Sequence, residues 1–261
     1  MSFVQQDGLR YYQFDLFRDQ PIFHAVLTRQ GGVSQPPYHS LNTGGTVGDD
    51  PDAVLENHQR IYKVLGYPFK SRFDVWQVHG RRILTAEAPR PTGKLHPKAD
   101  GILTDKPGIT LFMRFADCVP ILLFDPIQHV IGIIHAGWQG TCLKIARAAV
   151  EKMVESYRSR PEDILAGIGP SICQACYEVG DEVFQAFQKA FSGTADRLFH
   201  HHGESLHLDL WQANQMILRD AGVGRTQTAD ICTACNLQDW YSHRAENGRT
   251  GRFGVLMALE E

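Results

Sequence analysis

The sequence predicts an α+β domain built from layered mixed sheets. Three observations carry this reading. Short apolar or β-branched runs, each bounded by Gly, Pro or Asp, cluster in the first half of the chain. Several of them are apolar on both faces, which places them in the middle of the molecule. Helical periodicities are interspersed among them rather than alternating one for one, which favours mixed sheets over a regular βαβ repeat. The 261 residues, 43% hydrophobic and 21% charged, are read as a single domain over 1–261, with 1–20 an N-terminal extension or edge strand.

Taken in order, residues 23–28 form the first internal strand. A helix opens at Asp50-Pro51, an aspartate cap followed by a proline where the missing N–H costs nothing. Its apolar stripe is Val54, Leu55, Ile61, Tyr62 and Leu65, and Gly66 ends it. Strands follow at 73–78 and 83–86. The stretch 88–100, with three prolines and a glycine, is a loop. Strands at 101–104, 109–115, 119–124 and 130–134 come next. A second helix runs from about 140 to 157 and buries Leu143, Ala146, Val150, Met153 and Val154. Helices near 181–191, with Val183, Phe184 and Phe187, and near 210–221, ended by Gly222, precede strands at 226–231 and 253–259.

Composition removes several function classes. Net charge is −3 and no long basic run occurs, so a nucleic-acid partner is not expected. No apolar stretch approaches the roughly 18 residues of a membrane span. The N-terminus lacks the basic-then-apolar layout of a secretory signal, so a cytoplasmic location is expected; a monomer is the separate expectation for assembly. Six cysteines are too sparse for a disulfide scaffold and are expected to be reduced.

The chemistry concentrates on His79, Cys118 and His135, each at a point where an apolar run breaks into a turn: Val-His79-Gly, Ala-Asp-Cys118-Val-Pro and Ile-Ile-His135-Ala-Gly-Trp. Two imidazoles and a thiolate leave a fourth position open on a tetrahedral zinc, the catalytic arrangement. Such an ion ionises water near neutral pH or polarises an acceptor atom. The spacings of 39 and 17 positions match no compact metal pattern. The alternatives are two hydrogen-bonded packing histidines and a buried inert thiol. After His135 the chain reads as a helix start, whose free N–H groups suit an anion.

Nine motifs occur in order: Thr28-Arg-Gln-Gly-Gly-Val-Ser34, Ser40-Leu-Asn42, Val47-Gly-Asp-Asp-Pro51, Gln77-Val-His-Gly80, Ala116-Asp-Cys-Val-Pro120, His135-Ala-Gly-Trp138, Tyr177-Glu-Val-Gly180, Ser242-His-Arg244 and Thr250-Gly-Arg-Phe253. Together they resemble the bacterial multicopper polyphenol oxidase or laccase-domain family, also described as a purine nucleoside phosphorylase family, over nearly the whole chain. The resemblance implies a layered α/β/β fold like the catalytic domain of cytotoxic necrotizing factor. It implies a zinc site at His79, Cys118 and His135. It also implies phosphorolysis of adenosine, inosine and methylthioadenosine, and deamination of adenosine. Purine nucleosides and phosphate are then the partners. One departure is visible: Gln139 stands where the family's His-Ala-Gly-Trp-Arg-Gly has arginine.

Deamination needs an acid/base group beside the metal, and Asp117 is placed for that role or for support of a histidine. Phosphorolysis needs an anion site. Arg29 beside Gly31-Gly32, Arg244 and the turn from Asn42 to Gly45 are candidates, because guanidinium forks and glycine-rich backbone N–H groups both hold phosphate. Asn42 is a candidate for a ribose or base edge and Glu178 for a substrate contact; ion pairs and turn roles are the alternatives.

Other readings compete. Cys173-Gln-Ala-Cys176 and Cys232-Thr-Ala-Cys235 have the residue types of a closed four-thiolate zinc site, but 55 residues separate them, against about 15–20 in a compact ribbon. Packed thiols or one oxidised pair are the simpler expectation. A multicopper oxidase needs about ten copper ligands with repeated His-x-His pairs, which are missing, so copper is the weaker cofactor reading. The run His200-His201-His202 reads as a solvated loop. Cys118 with a histidine base would make an amidase, and relatives linked to peptidoglycan precursor editing make that the main alternative.

Overall fold

The structure is a computed structural model and describes residues 2–260. In chain order it contains β1 (Ser2–Gln6), β2 (Leu9–Gln13), β3 (Ile22–Leu27), α1 (Pro51–Leu65), β4 (Arg72–Asp74), β5 (Ile83–Thr85), β6 (Gly101–Thr104), β7 (Thr110–Phe115), β8 (Val119–Asp125) and β9 (Val130–Ala136). Then follow α2 (Trp138–Cys142), α3 (Ile145–Tyr157), β10 (Leu165–Ile168), β11 (Glu178–Val179), α4 (Asp181–Ala190), β12 (Phe199–His202), β13 (Ser205–Leu208), α5 (Leu210–Asp220), β14 (Arg225–Thr228) and β15 (Phe253–Leu259).

Two six-stranded sheets, ordered β1-β2-β3-β15-β7-β4 and β14-β10-β8-β9-β6-β5, form the body, and β11-β13-β12 make a small third sheet. Both large sheets are mixed: β4 runs parallel to β7, β5 to β6 and β14 to β10, while the other pairs are antiparallel. Side-chain alternation builds the layers. Leu122 and Phe124 of β8 and Ile131 and Ile133 of β9 meet Leu111, Met113, Val255 and Met257 of the first sheet. Val119, Ile121 and Leu123 of β8 face the other way, onto α3, α4 and α5. The outer face of the first sheet, with Leu27, Phe112 and Leu256, is covered by Ile61, Tyr62 and Leu65 of α1. The observed order is therefore α/β/β/α, one helical layer more than the α/β/β expectation. These interior strands are apolar on both faces because each is covered on both sides.

Local signals explain most boundaries. The Asp50 side chain accepts from the Asp52 N–H and Gly66 adopts φ 78°, so α1 starts and stops as its caps require. The predicted helix over 140–157 divides into α2 and α3 at Lys144, where φ is 58°. The break turns Leu143 out, 48% exposed, contrary to its expected burial. Leu55 and Val154 are also exposed, because a stripe inferred from periodicity is wider than the contact a flat sheet offers. The strand expected over 73–78 ends at Asp74. Beyond it the Gln77 side chain takes over the pairing, donating to the Arg114 carbonyl at 2.7 Å and accepting from the Arg114 N–H at 3.0 Å. Residues 2–13 form an edge hairpin. The histidine run 200–202 is strand β12, not a loop.

Candidate metal centre

The centre forms at the end of the two packed sheets where the chain crosses from one to the other. The connection between β7 and β8 carries the chain from one sheet to the other, and Cys118 is its last residue. Antiparallel register sets Pro120 opposite His135 and Val119 opposite Ala136, so Cys118 comes beside the end of β9. His79 lies in the turn beyond β4 with φ 59°, a left-handed conformation that aims its ring back toward this junction. The ligand atoms of His79, Cys118 and His135 all lie within 4.8 Å of one another. His135 is buried, Cys118 half-buried and His79 exposed, so the cluster opens to solvent on the His79 side.

Asp100 holds it together. This fully buried carboxylate accepts from His135 Nδ1 at 2.9 Å, and from the backbone N–H groups of Val78, His79 and Gly80 at 3.1, 2.8 and 2.7 Å. Its own carbonyl accepts from the His135 N–H at 2.7 Å. One side chain thus fixes both the turn that presents His79 and the tautomer of His135, whose Nε2 is left for the Cys118 side. Gly137 supplies room: a Cβ there would stand 3.0 Å from Cys118 Sγ and 3.2 Å from His79 Cδ2.

Burial alone would push the Cys118 thiol up, but the flanking His135 and His79 rings bring it down to about 6. Burial likewise opposes charge on His135, yet the Cys118 sulfur and the Asp100 carboxylate raise it to about 9. The metal-free cluster is therefore a thiolate–imidazolium pair over much of the range between these values. In chelator-stripped protein, iodoacetamide modification of Cys118 should rise through pH about 6, rather than near the thiol's ordinary 9.0. Peptide mass spectrometry after alkylation at a series of pH values measures that midpoint.

The other residues singled out in the sequence separate into two groups. Asp117, at φ 79°, accepts from Thr233 Oγ1 at 2.6 Å and from the Arg244 N–H at 2.7 Å. Both oxygens are engaged, so it ties the Cys118 turn to the 233 and 244 segments. Arg244 is exposed, donates to the Glu178 carbonyl at 2.7 Å and lies 5.1 Å from the Tyr177 ring. Glu178 is exposed and accepts from Ser205 Oγ at 2.9 Å. Burial pushes the Tyr177 phenol up, and the Cys118 charge adds to it, so this ring stands within electrostatic reach of the centre. Arg252 stands there too, drawn down by burial and held up by the charges of Cys118 and Asp117.

Arg29 and Asn42 are engaged by protein groups. Arg29 donates to the His39 carbonyl at 2.8 Å, the Leu237 carbonyl at 3.0 Å and Glu246 Oε1 at 3.1 Å, with its guanidinium 4.3 Å over the Tyr241 ring. The fork intended for phosphate is filled by protein. Asn42 is fully buried; it accepts from the Gly44 and Arg252 N–H groups at 2.9 and 2.8 Å and donates to Asp49 at 2.8 Å. Arg29→Ala should then lower stability by about 2–4 kcal/mol by taking the cation from Glu246 Oε1 and the donor from two carbonyls. Urea denaturation should show this, with both activities proposed below reduced in the same ratio. Gln139 is exposed in the five-residue α2. Among the residues around the centre, Asp100 was given no site role from the sequence, and Gly137 and Arg252 appeared there only as members of motifs. Asp100 carried one signal, its place where the proline-rich loop meets β6.

The family model described as multi-copper polyphenol oxidoreductase laccase matches residues 23–260. The chain belongs to this family. A member named purine nucleoside phosphorylase from Deinococcus radiodurans is 40% identical over 236 residues, covering 90% of this chain and 88% of the relative. Purine nucleoside phosphorylase YlmD of Bacillus subtilis is 36% identical, covering 93% and 90%. The crystal structure of YlmD from Geobacillus stearothermophilus superposes with a TM-score of 0.92 at 32% identity, over 99% of both chains. The laccase-like name and the site differ in one respect. Among the described residues, two groups of three or more His, Cys, Asp or Glu side chains converge closely enough to hold a metal. Neither resembles the roughly ten-ligand set of a multicopper centre.

Proposed function

We propose that this chain is a single-zinc enzyme that cleaves purine nucleosides with phosphate, releasing the base and a ribose 1-phosphate. The observation that carries the reading is the His79/Cys118/His135 cluster, open on one side and anchored by Asp100, in a chain whose relatives are named purine nucleoside phosphorylase. The donor set fits zinc: one soft thiolate with two imidazoles, the second nitrogen of His135 fixed by a carboxylate, and space maintained by Gly137. A zinc ion held by these three side chains would supply Lewis acidity.

The chain's own groups divide the remaining work. Asp100 holds His135 and the His79 turn in register, so little reorganisation is needed when substrate arrives. The exposed Arg244 guanidinium, beside Tyr177, is the group best placed to receive phosphate, in place of the sequestered Arg29. Phosphate oxygen forms a bond to C1′ as the bond from C1′ to the purine nitrogen breaks. The nearby Arg252 charge favours electron density leaving with the base. Adenosine deamination is a further activity of this site: the exposed His79 side admits water to the same face. Six free cysteines fit a reducing cytoplasm.

A second reading draws on the order Cys118, His135, Asp100, which is also that of a nucleophile, a base and its orienting acid. It would make the chain an amidase. Incubation with adenosine, with and without phosphate and with and without a strong chelator, separates these. Product chromatography should give adenine and ribose 1-phosphate with phosphate, some inosine without it, and neither after metal removal. Full turnover in chelator, or none on any nucleoside, contradicts the proposal.

A further inference from the structure

The two Cys-x-x-Cys pairs, 55 residues apart in sequence, converge in space. The sulfurs of Cys173, Cys176, Cys232 and Cys235 lie within 4.8 Å of one another, with Cys176 and Cys235 at 3.4 Å. The convergence is built by the backbone: Ser171 and Cys232 form a parallel bridge, with the Ser171 N–H on the Ile231 carbonyl and the Thr233 N–H on the Ser171 carbonyl, both 3.1 Å. The backbone of the first pair also reaches the second: the Cys173 N–H donates to Cys232 Sγ at 3.3 Å, and the Cys176 N–H closes its turn on the Cys173 carbonyl at 3.1 Å. Amide donors aimed at a cysteine sulfur stabilise the thiolate, the form that ligates metal.

We infer that Cys173, Cys176, Cys232 and Cys235 form a closed four-thiolate site for one zinc ion, separate from the His79/Cys118/His135 centre. A tetrahedron with zinc–sulfur bonds of about 2.3 Å has sulfur–sulfur edges of about 3.8 Å. The Cys176–Cys235 separation of 3.4 Å, in a cluster whose sulfurs all lie within 4.8 Å, is compatible with that edge. Four protein ligands leave no open position, so the role is structural. Four thiols lose their protons on binding, and the divalent ion offsets half of the resulting charge. A redox pair needs two sulfurs; here both pairs are drawn into one cluster.

The placement gives the site a task. Thr233, inside the second pair, donates to Asp117 beside Cys118, and Tyr177 directly follows Cys176. The Trp211 indole N–H donates to Ser171 Oγ at 2.6 Å, which ties the staple to α5. A metal here cross-links the 171–177 and 231–236 segments that back the catalytic face. The inference does not rest on the reaction proposed above.

The test uses untagged protein carrying Cys118→Ser, which removes the first centre. Metal analysis should find about one zinc per chain, released stoichiometrically when an organomercurial titrates the four cluster thiols, Cys142 being the fifth thiol of this variant. Growth with cobalt should yield the intense visible bands of tetrahedral Co(II) with thiolate-to-metal charge transfer, a signature that the exposed His200–His202 strand cannot produce. Adding Cys176→Ser and Cys235→Ser should abolish the zinc and the cobalt spectrum, and remove the chelator dependence of thermal unfolding. If that variant does not fold, the cobalt spectrum of Cys118→Ser alone decides. A zinc-free Cys118→Ser protein in which Cys173, Cys176, Cys232 and Cys235 are all freely alkylated, or with a mass four hydrogens lower from two disulfides, would overturn the inference.

Discussion

Cys118→Ala is expected to lower purine nucleoside turnover by about 10³-fold or more, the several kcal/mol that a Lewis acid contributes to a transition state. The same change should cost one equivalent of metal. Removing the thiolate leaves two imidazoles, one of them exposed, and the remaining pair lacks the soft anionic donor that favours zinc. The fold should survive, because Cys118 is half-buried at a turn whose geometry depends on Asp117, Thr233 and Arg244 rather than on its sulfur. Circular dichroism and metal content measured on one preparation separate loss of the centre from loss of the protein. Undiminished turnover with full metal content would remove the thiolate from the site.

The second large effect is expected at Asp100. Asp100→Ala takes the acceptor from the N–H groups of Val78, His79 and Gly80 and from His135 Nδ1 in one step. Each orphaned group costs about 1–3 kcal/mol, so a loss of about 3–5 kcal/mol is expected after local relaxation. Metal affinity should fall about 10–100-fold as His135 loses its orienting partner. Asp100→Asn keeps the shape and should recover much of the stability, while activity stays low because an amide N–H confronts a donor. Burial raises the Asp100 carboxyl, but its hydrogen bonds with His135 and the backbone N–H groups more than offset this and hold it below its ordinary 3.8. Its contribution is therefore fully present above pH 3.8 and is lost as pH falls through the lower folded value. Acid unfolding of Asp100→Asn should lack that component, which urea titrations at pH 3 and pH 7 will show.

Much of the fold was legible because its signals are local. α1 carries its aspartate cap, proline and terminal glycine within the helix's own sequence, and β6, β8 and β9 are apolar runs that stop at turn residues. The helix break at Lys144 was not legible, because nothing in Leu-Lys-Ile announces a left-handed residue; the packing of α2 and α3 on β9 imposes it. Strands β11 and β12 are short and polar, and pairing with β13 rather than their own periodicity makes them strands.

The three residues of the centre were visible as chemistry at strand ends. Their anchor was hidden, since an aspartate closing a loop acquires its meaning only when three backbone N–H groups and a ring from 35 residues later arrive around it. Arg29 shows the converse. Beside two glycines it reads as an anion site, but its partner Glu246 is 217 residues away and invisible to any local reading. The four cysteines were recognised as the residue types of a four-thiolate site and set aside because of the gap between the pairs, which the bridge from Ser171 to Cys232 shortens to a contact.

Anomalous diffraction from crystals of the untagged protein, recorded on either side of the zinc and copper absorption edges, addresses the centre itself. The expected result is a zinc-edge peak bounded by His79, Cys118 and His135, with no corresponding signal at the copper edge. An empty map among those three side chains in active crystals, or a copper-edge peak in place of zinc, would contradict it.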